Sequence, residues 1–206
     1  DDRLIGGTGN DVLRGDDGRD TAEYSDHTTP VTVTLAGAAP IQAALRQGLP
    51  QTGVTIMRMV PALDAGPIIL TASAPILDDE TYGELQNRLS ELGALTLIEA
   101  LALMSMGKAP ETLQDESLAT YEGWCRRGEA RISWANHVDI VYNLIRGCNP
   151  APGAWTTLDG SELQIFDARK IPVRTFRAVQ GKIGEVVEVT GVSFQITAQG
   201  GRIEVL

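Results

Sequence analysis

The sequence predicts an α/β unit followed by a small β-barrel, and three features carry that reading. Val54-Thr-Ile-Met-Arg-Met-Val60 alternates as a strand does, and the apolar run from Ile68 to Ile76 has the composition of a buried strand. Thr81-x-x-Glu84 is a capping box ahead of Leu85, Leu89 and Leu92, the opening of an amphipathic helix. From Trp155 onward, short strand-like runs alternate with glycine-marked turns, the pattern of a small barrel.

Taken in order, Val31-Thr-Val-Thr-Leu35 alternates with period two and reads as a strand, and Gln42 to Arg46 forms a short helical pattern that stops at Gly48. The long helix is expected to pause at Gly93, resume with Leu95, Ile98, Leu101 and Met104 as a core-facing stripe, and end at Gly107-Lys-Ala-Pro110. Residues 109–128 mix Pro, Gln, Asp, Glu and Ser with little periodicity, as a linker does. Ala130-Arg-Ile-Ser-Trp134 then leads into a helix holding Val138, Val141, Tyr142 and Ile145, with His137 as a surface residue of that helix. Strand runs follow at 155–158, 163–166, 186–189, 193–196 and 202–205, separated by Asp159-Gly160, Gly181, Gly191 and Gly200-Gly201.

With 206 residues and 43% hydrophobic content the chain can bury a core, and its length suits one or two domains. It lacks an apolar run approaching a membrane span and a signal-peptide pattern, so a cytoplasmic chain without membrane contact is expected. Cys125 and Cys148 lack metal-ligand spacing, which suits a reducing compartment. The formal charge of −10 is uneven: seven basic residues face eighteen acidic ones through residue 117, and ten face nine beyond it. Arg169, Lys170, Arg174, Arg177 and Lys182 crowd one stretch of the near-neutral half, which reads either as a phosphate-facing patch or as a solvated surface.

Residues 1–24 follow a ninefold register, with Gly6-Gly-Thr-Gly-Asn-Asp-Val-Leu-Arg14 as a full unit, a remnant ending near Leu4 and a worn third from Gly15 to Ala22. The unit resembles the nonapeptide repeat of the RTX hemolysin-type β-roll, in which glycines permit tight turns and carboxylates with carbonyls hold calcium. That resemblance implies a β-roll fragment and capping strand over 1–36, with Ca2+ at Asp11 and Asp20. About two units are fewer than such a stack generally needs, so an ion-free Gly/Asp-rich arm is the other reading.

From Gly37 the motifs change character. Gly37-Ala-Ala-Pro-Ile-Gln42, Thr52-Gly-Val-Thr-Ile-Met-Arg-Met59, Leu63-Asp-Ala-Gly-Pro67, Glu91-Leu-Gly93, Gln114-Asp-Glu-Ser117, Ile145-Arg-Gly147 and Asn149-Pro-Ala-Pro-Gly-Ala-Trp155 stand in an order that resembles the folate-dependent formyltransferases, and within them the methionyl-tRNA formyltransferases. Thr120-Tyr-Glu-Gly123 and Pro152-Gly-Ala-Trp155 are also similar to the hydrolase part of 10-formyltetrahydrofolate dehydrogenase, which leaves another formyl acceptor open. The resemblance implies part of a doubly wound catalytic domain at 37–108, a linker at 109–128 and an OB-like barrel at 129–206. It implies 10-formyltetrahydrofolate as formyl donor, initiator methionyl-tRNA as partner, and the basic stretch at 169–182 as its contact.

Family chemistry uses an Asn to stabilise the oxyanion, a His to manage protons and an Asp to orient the imidazole. Asp64 matches that Asp, with Leu63, Ala65 and Gly66 on the folate side by the same resemblance. The Asn-x-His segment is absent: family spacing places the Asn at Asp26 and the His at Thr28, and His27 is one position off, on the opposite face of an extended backbone. The strands that would carry the pterin pocket and the usual end beyond Leu206 are also missing. The expectation is therefore a truncated formyltransferase-like chain, inactive alone, or a non-catalytic tRNA-binding module. The sheet edge at 54–60 is either covered by residues 31–35, left open or paired with a second copy, and an uncovered edge would invite self-association.

Overall fold

The computed structural model describes residues 3–5, 20–23, 31–35, 40–61, 64–115, 117, 122–173 and 181–206, the first three stretches as backbone strands. Asp11, His27, Asp26, Thr28, Leu63, Arg174 and Arg177 lie outside the described residues. The chain divides into two compact units: residues 1–40, 51–75 and 86–123 form one, and residues 41–50, 76–85 and 124–206 the other.

The first unit is built on a five-stranded sheet in the order β1-β2-β3-β4-β5: β1 (Arg3–Ile5), β2 (Asp20–Glu23), β3 (Val31–Leu35), β4 (Gln51–Arg58) and β5 (Ile68–Pro75). Among the described strands β1 and β2 pair in parallel, and the pairs β2–β3, β3–β4 and β4–β5 are antiparallel. The described strands β2 to β5 thus form a meander within the sheet. Residues 59–67, which join β4 to β5, are fewer than the dozen or so a parallel crossover needs, so those strands pair as neighbours in a meander.

Of the three arrangements the sequence leaves for the strand edge at 54–60, the structure has the one in which residues 31–35 cover it. Val31, Thr32 and Val33 of β3 pair with Arg58, Met57 and Ile56, so this part of β4 is covered from within the chain. Thr112 adds an isolated antiparallel bridge to Ile68 at the start of β5. The segment read as a linker thus begins as part of the sheet, with backbone hydrogen bonds of 2.7 and 2.9 Å joining the two residues.

Helix α1 (Pro40–Gln47) ends at Gly48, whose φ of 69° is the left-handed conformation a helix C-terminus commonly adopts. Helix α2 (Tyr82–Ser105) opens on the expected capping box: Thr81 N–H and Thr81 Oγ1 donate to Glu84 Oε2 at 2.9 and 2.7 Å, which holds the Glu84 carboxyl below its usual range. The helix does not pause at Gly93. Its buried face therefore keeps the phase set by Leu85 and Leu89 and runs through Thr96, Leu97 and Ala100, while Leu95 and Ile98 are about two-thirds exposed. The stripe through Leu95 and Ile98 is corrected accordingly; Leu101 and Met104 do pack against Ile56, Ile69, Leu97 and Ala100.

In the second unit, α3 (Val138–Gly147) packs its apolar face into a core of Val138, Val141, Tyr142, Ile145, Ile165, Ile196 and Ile203. His137 precedes the helix as its N-cap, Nδ1 accepting from Asp139 N–H at 3.3 Å, where the sequence placed it on the helical surface. Strands β6 (Ala154–Leu158) and β7 (Ser161–Ile165) form a hairpin whose Asp159 and Gly160 both take positive φ, as a two-residue type I′ turn requires. Strands β8 (Ala168–Pro172), β11 (Gly201–Val205), β10 (Phe194–Ala198) and β9 (Val186–Val189) make an antiparallel sheet in that spatial order. Among the described residues the hairpin and this sheet are separate and do not hydrogen-bond into a closed barrel.

Candidate functional site

Asp64 sits in the β4–β5 connection, exposed, with φ of 53°. Aspartate visits this left-handed region more readily than most residues, so the turn selects a short polar side chain. Two residues on, Gly66 is buried, and a Cβ there would lie 1.7 Å from the Arg58 carbonyl oxygen. The loop thus closes directly onto the last residue of β4, whose N–H donates to Pro67 O at 3.0 Å.

Residues 111–114 hold this loop from the other side. Gln114 Nε2 donates to the carbonyls of both Asp64 and Gly66, each at 2.7 Å, and the Arg58 guanidinium pairs with Glu111, its Nε 2.9 Å from Oε1. One amide group with two hydrogens satisfies two carbonyls flanking Ala65, fixing the backbone that presents the carboxylate. The hold of Gln114 on this loop is what sequence reasoning missed; the signal was its place in the Gln114-Asp-Glu-Ser motif, whose role no spacing rule reveals. We expect Gln114→Ala to leave the fold intact at a cost of about 1 kcal/mol, with hydrogen exchange at residues 64–68 several-fold faster. Unchanged exchange there would remove Gln114 from any positioning role.

The basic stretch reads differently in space than in sequence. Arg169 and Lys170 are consecutive on the edge strand β8 and point to opposite faces. Both are exposed, and Lys170 Nζ lies 3.0 Å from Asp139 Oδ1 and 5.5 Å from the centre of the Tyr142 ring. Lys182, exposed, precedes β9 at the opposite edge of the sheet, with its N–H donating to Glu185 Oε2 at 2.6 Å. A second cationic group escaped the sequence reading: Arg127 and Arg131 lie 5.4 and 5.3 Å from the Trp155 ring centre, stacked as guanidinium groups favour. Arg127 also pairs with Glu162.

Among the described residues there is no cluster of three or more His, Cys, Asp or Glu that could hold a metal. Asp20 lies in β2, and Asp11, the other expected calcium ligand, is outside the described residues. Also among the described residues, no helix is long and apolar enough to cross a membrane.

Comparison with known proteins decides the family. The profile described as Formyl transferase matches residues 34–101, and that described as Formyl transferase, C-terminal domain, matches residues 126–206. The chain belongs to the formyl transferase family. Methionyl-tRNA formyltransferase from Moorella thermoacetica is 44% identical over 167 residues, which cover 81% of this formyl transferase chain and 52% of the relative. The Syntrophus aciditrophicus protein of the same name is 41% identical with the same coverage. The chain spans about half the length of the curated relatives it matches.

Solved structures agree on the fold of this formyl transferase chain. HypX from Aquifex aeolicus, in complex with tetrahydrofolic acid, superposes with a TM-score of 0.66 at 20% identity over 91% of this chain and 31% of its own. Methionyl-tRNA formyltransferase from Clostridium thermocellum superposes with a TM-score of 0.52 at 13% identity, covering 74% and 64%.

Proposed function

We propose that this chain carries the Asp-bearing loop and the tRNA-contacting part of a methionyl-tRNA formyltransferase, and that by itself it binds without completing formyl transfer. The reaction is attack of the methionyl amine of initiator tRNA on the formyl carbon of 10-formyltetrahydrofolate. The observation that carries the reading is the Asp64 loop, clamped by Gln114 and closed over Gly66, within a region matched by the family.

A carboxylate carried on a backbone so held suits one task in that chemistry, which is to accept the N–H of an imidazole and stabilise its protonated form. It cannot serve as the oxyanion donor, because an ionised carboxylate only accepts hydrogen bonds. Asp26, at the position that family spacing gives to the oxyanion-stabilising amide, would oppose the developing charge, and Thr28 offers no imidazole. Removing members of such a unit costs about four orders of magnitude or more in rate.

Within this proposal residues 129–206 are an OB-like module that meets the tRNA backbone, chiefly through Arg169, Arg174 and Arg177. Residues 109–128 connect it to the catalytic remnant at 37–108, and Leu63, Ala65 and Gly66 line the folate side. The RTX-like opening is a structural extension whose calcium chemistry plays no part in transfer, and a cytoplasmic setting follows from a tRNA partner.

The test has two arms. Formyl transfer from 10-formyltetrahydrofolate to initiator methionyl-tRNA is expected at background for both the chain and Asp64→Asn; activity that vanishes in Asp64→Asn would overturn the binding-only reading. Retention of tRNA is expected to fall linearly on a logarithmic salt scale, with the slope reduced by about 2–3 when Arg169, Arg174 and Arg177 are all changed to Gln. Salt-independent retention, or none, sinks the tRNA assignment.

A further inference from the structure

Cys125 and Cys148 lie far apart in sequence, yet their Sγ atoms face each other at 3.7 Å. Their surroundings are unequal. Cys148 is fully buried in the C-cap of α3, its N–H held by the last-turn carbonyls of Leu144, Ile145 and Arg146. Cys125 is half-buried in a stretch without helix or strand, beside the Arg46–Glu129 ion pair, whose Nη1 to Oε2 distance is 3.2 Å. One thiol is therefore reachable and lies outside helix and strand, and the other is fixed and shielded.

We propose that Cys125 and Cys148 form a thiol modification site that takes low-molecular-weight disulfides and closes reversibly to an intramolecular disulfide. In the first step the Cys125 thiolate attacks one sulfur of R–S–S–R. The Cys125 Sγ–SR bond forms, the reagent S–S bond breaks, and RS⁻ leaves to take a proton from solvent. In the second step Cys148 gives its S–H proton to solvent and attacks Cys125 Sγ, expelling the second RS⁻, which is protonated in turn. Two electrons pass from the two cysteines to the reagent, which ends as two thiols.

Local electrostatics assign the order. The hydrogen bond from Cys148 lowers the Cys125 thiol to about 7, helped by Arg46 and opposed by burial and Glu129. The same hydrogen bond raises Cys148, with burial adding to it, so Cys148 keeps its proton while Cys125 is charged. Once Cys125 is in a mixed disulfide that charge is gone, and burial with Glu129 still hinders the second step against the help of Arg46. Closing the sulfurs from 3.7 Å to bonding distance falls to the irregular segment around Cys125, since α3 fixes Cys148. The bond would tie the segment bearing Arg126 and Arg127 to the end of α3, and so link thiol chemistry to the cationic face around Trp155.

The whole chain is incubated with glutathione disulfide, acid-quenched, alkylated and weighed by mass spectrometry. The expected product is monomeric and about two mass units lighter, with Tm raised by roughly 5–10 °C and reverted by glutathione. Cys148→Ser should stall with one glutathione on Cys125, and Cys125→Ser should leave Cys148 unmodified while folded, with far-UV circular dichroism confirming the fold. The stall in Cys148→Ala gives the same reading by a second variant. The first step should speed up about tenfold per pH unit below 7 and level off above it. Two free thiols under excess oxidant, dimers as the sole product, or reaction at Cys148 first would each overturn the proposal.

Discussion

Gly66→Ala is expected to destabilise the β4–β5 hairpin by about 3 kcal/mol, because the added carbon has nowhere to go. Its ideal position lies 1.7 Å from the carbonyl oxygen of Arg58 and 2.9 Å from the carbonyl carbon. Both are backbone atoms of a strand paired on each side, so no side-chain rotation relieves the overlap. The base of the hairpin must open, and the first bond lost is Arg58 N–H to Pro67 O at 3.0 Å. Hydrogen exchange over 51–58 and 68–75 should accelerate about a hundredfold, the equivalent of that free energy. Wild-type exchange in the variant would mean that Gly66 is permissive and that the tight closure of the Asp64 loop has no structural cost.

Arg146→Met should cost about as much in the second unit, for the opposite reason: it removes a group rather than adding one. Arg146 is 8% exposed, and its guanidinium reaches Leu77 O at 3.0 Å, Glu80 O at 3.4 Å and Asn143 Oδ1 at 2.9 Å. Burial holds its pKa below the usual value, with the nearby Asp78, Asp79 and Glu80 opposing that shift. Beside it Tyr142 Oη donates to Asp79 Oδ1 at 2.8 Å, so the 77–80 turn is docked on α3 by two side chains. Methionine fills the volume but leaves those acceptors without their donor, a loss of about 3 kcal/mol. All three tryptophans, Trp124, Trp134 and Trp155, belong to this unit, so a urea titration followed by their fluorescence reads it directly. The midpoint should fall by roughly 1–2 M at unchanged slope; an unmoved midpoint would show the arginine to be dispensable.

Much of the secondary structure was legible because local chemistry and final fold agree. The capping box at Thr81, the stop at Gly48 and the Asp159-Gly160 turn each act within a few residues. Where the reading failed, longer-range pairing decided. Ala168-Arg-Lys-Ile-Pro172 reads as a charged stretch, yet it forms β8, because an edge strand needs only one paired side and tolerates cations and a terminal proline. Leu95 and Ile98 were placed inward by letting Gly93 reset a helix that continues through it. At the site, Asp64 was found through family resemblance, but its clamp was not, since Gln114 acts across 50 residues. Likewise Arg169 and Lys182, near in sequence, belong to opposite edges of one sheet.

The pairing of β3 with β4 reaches across the start of the family match. The family match begins at residue 34, yet Val31, Thr32 and Val33, all upstream of it, complete the ladder along Ile56, Met57 and Arg58. Backbone pairing therefore joins residues upstream of the family match to a strand within it. Severing the chain between β3 and β4 would not free an autonomous tail; it would strip β4 of its flank and leave both fragments with raw edges.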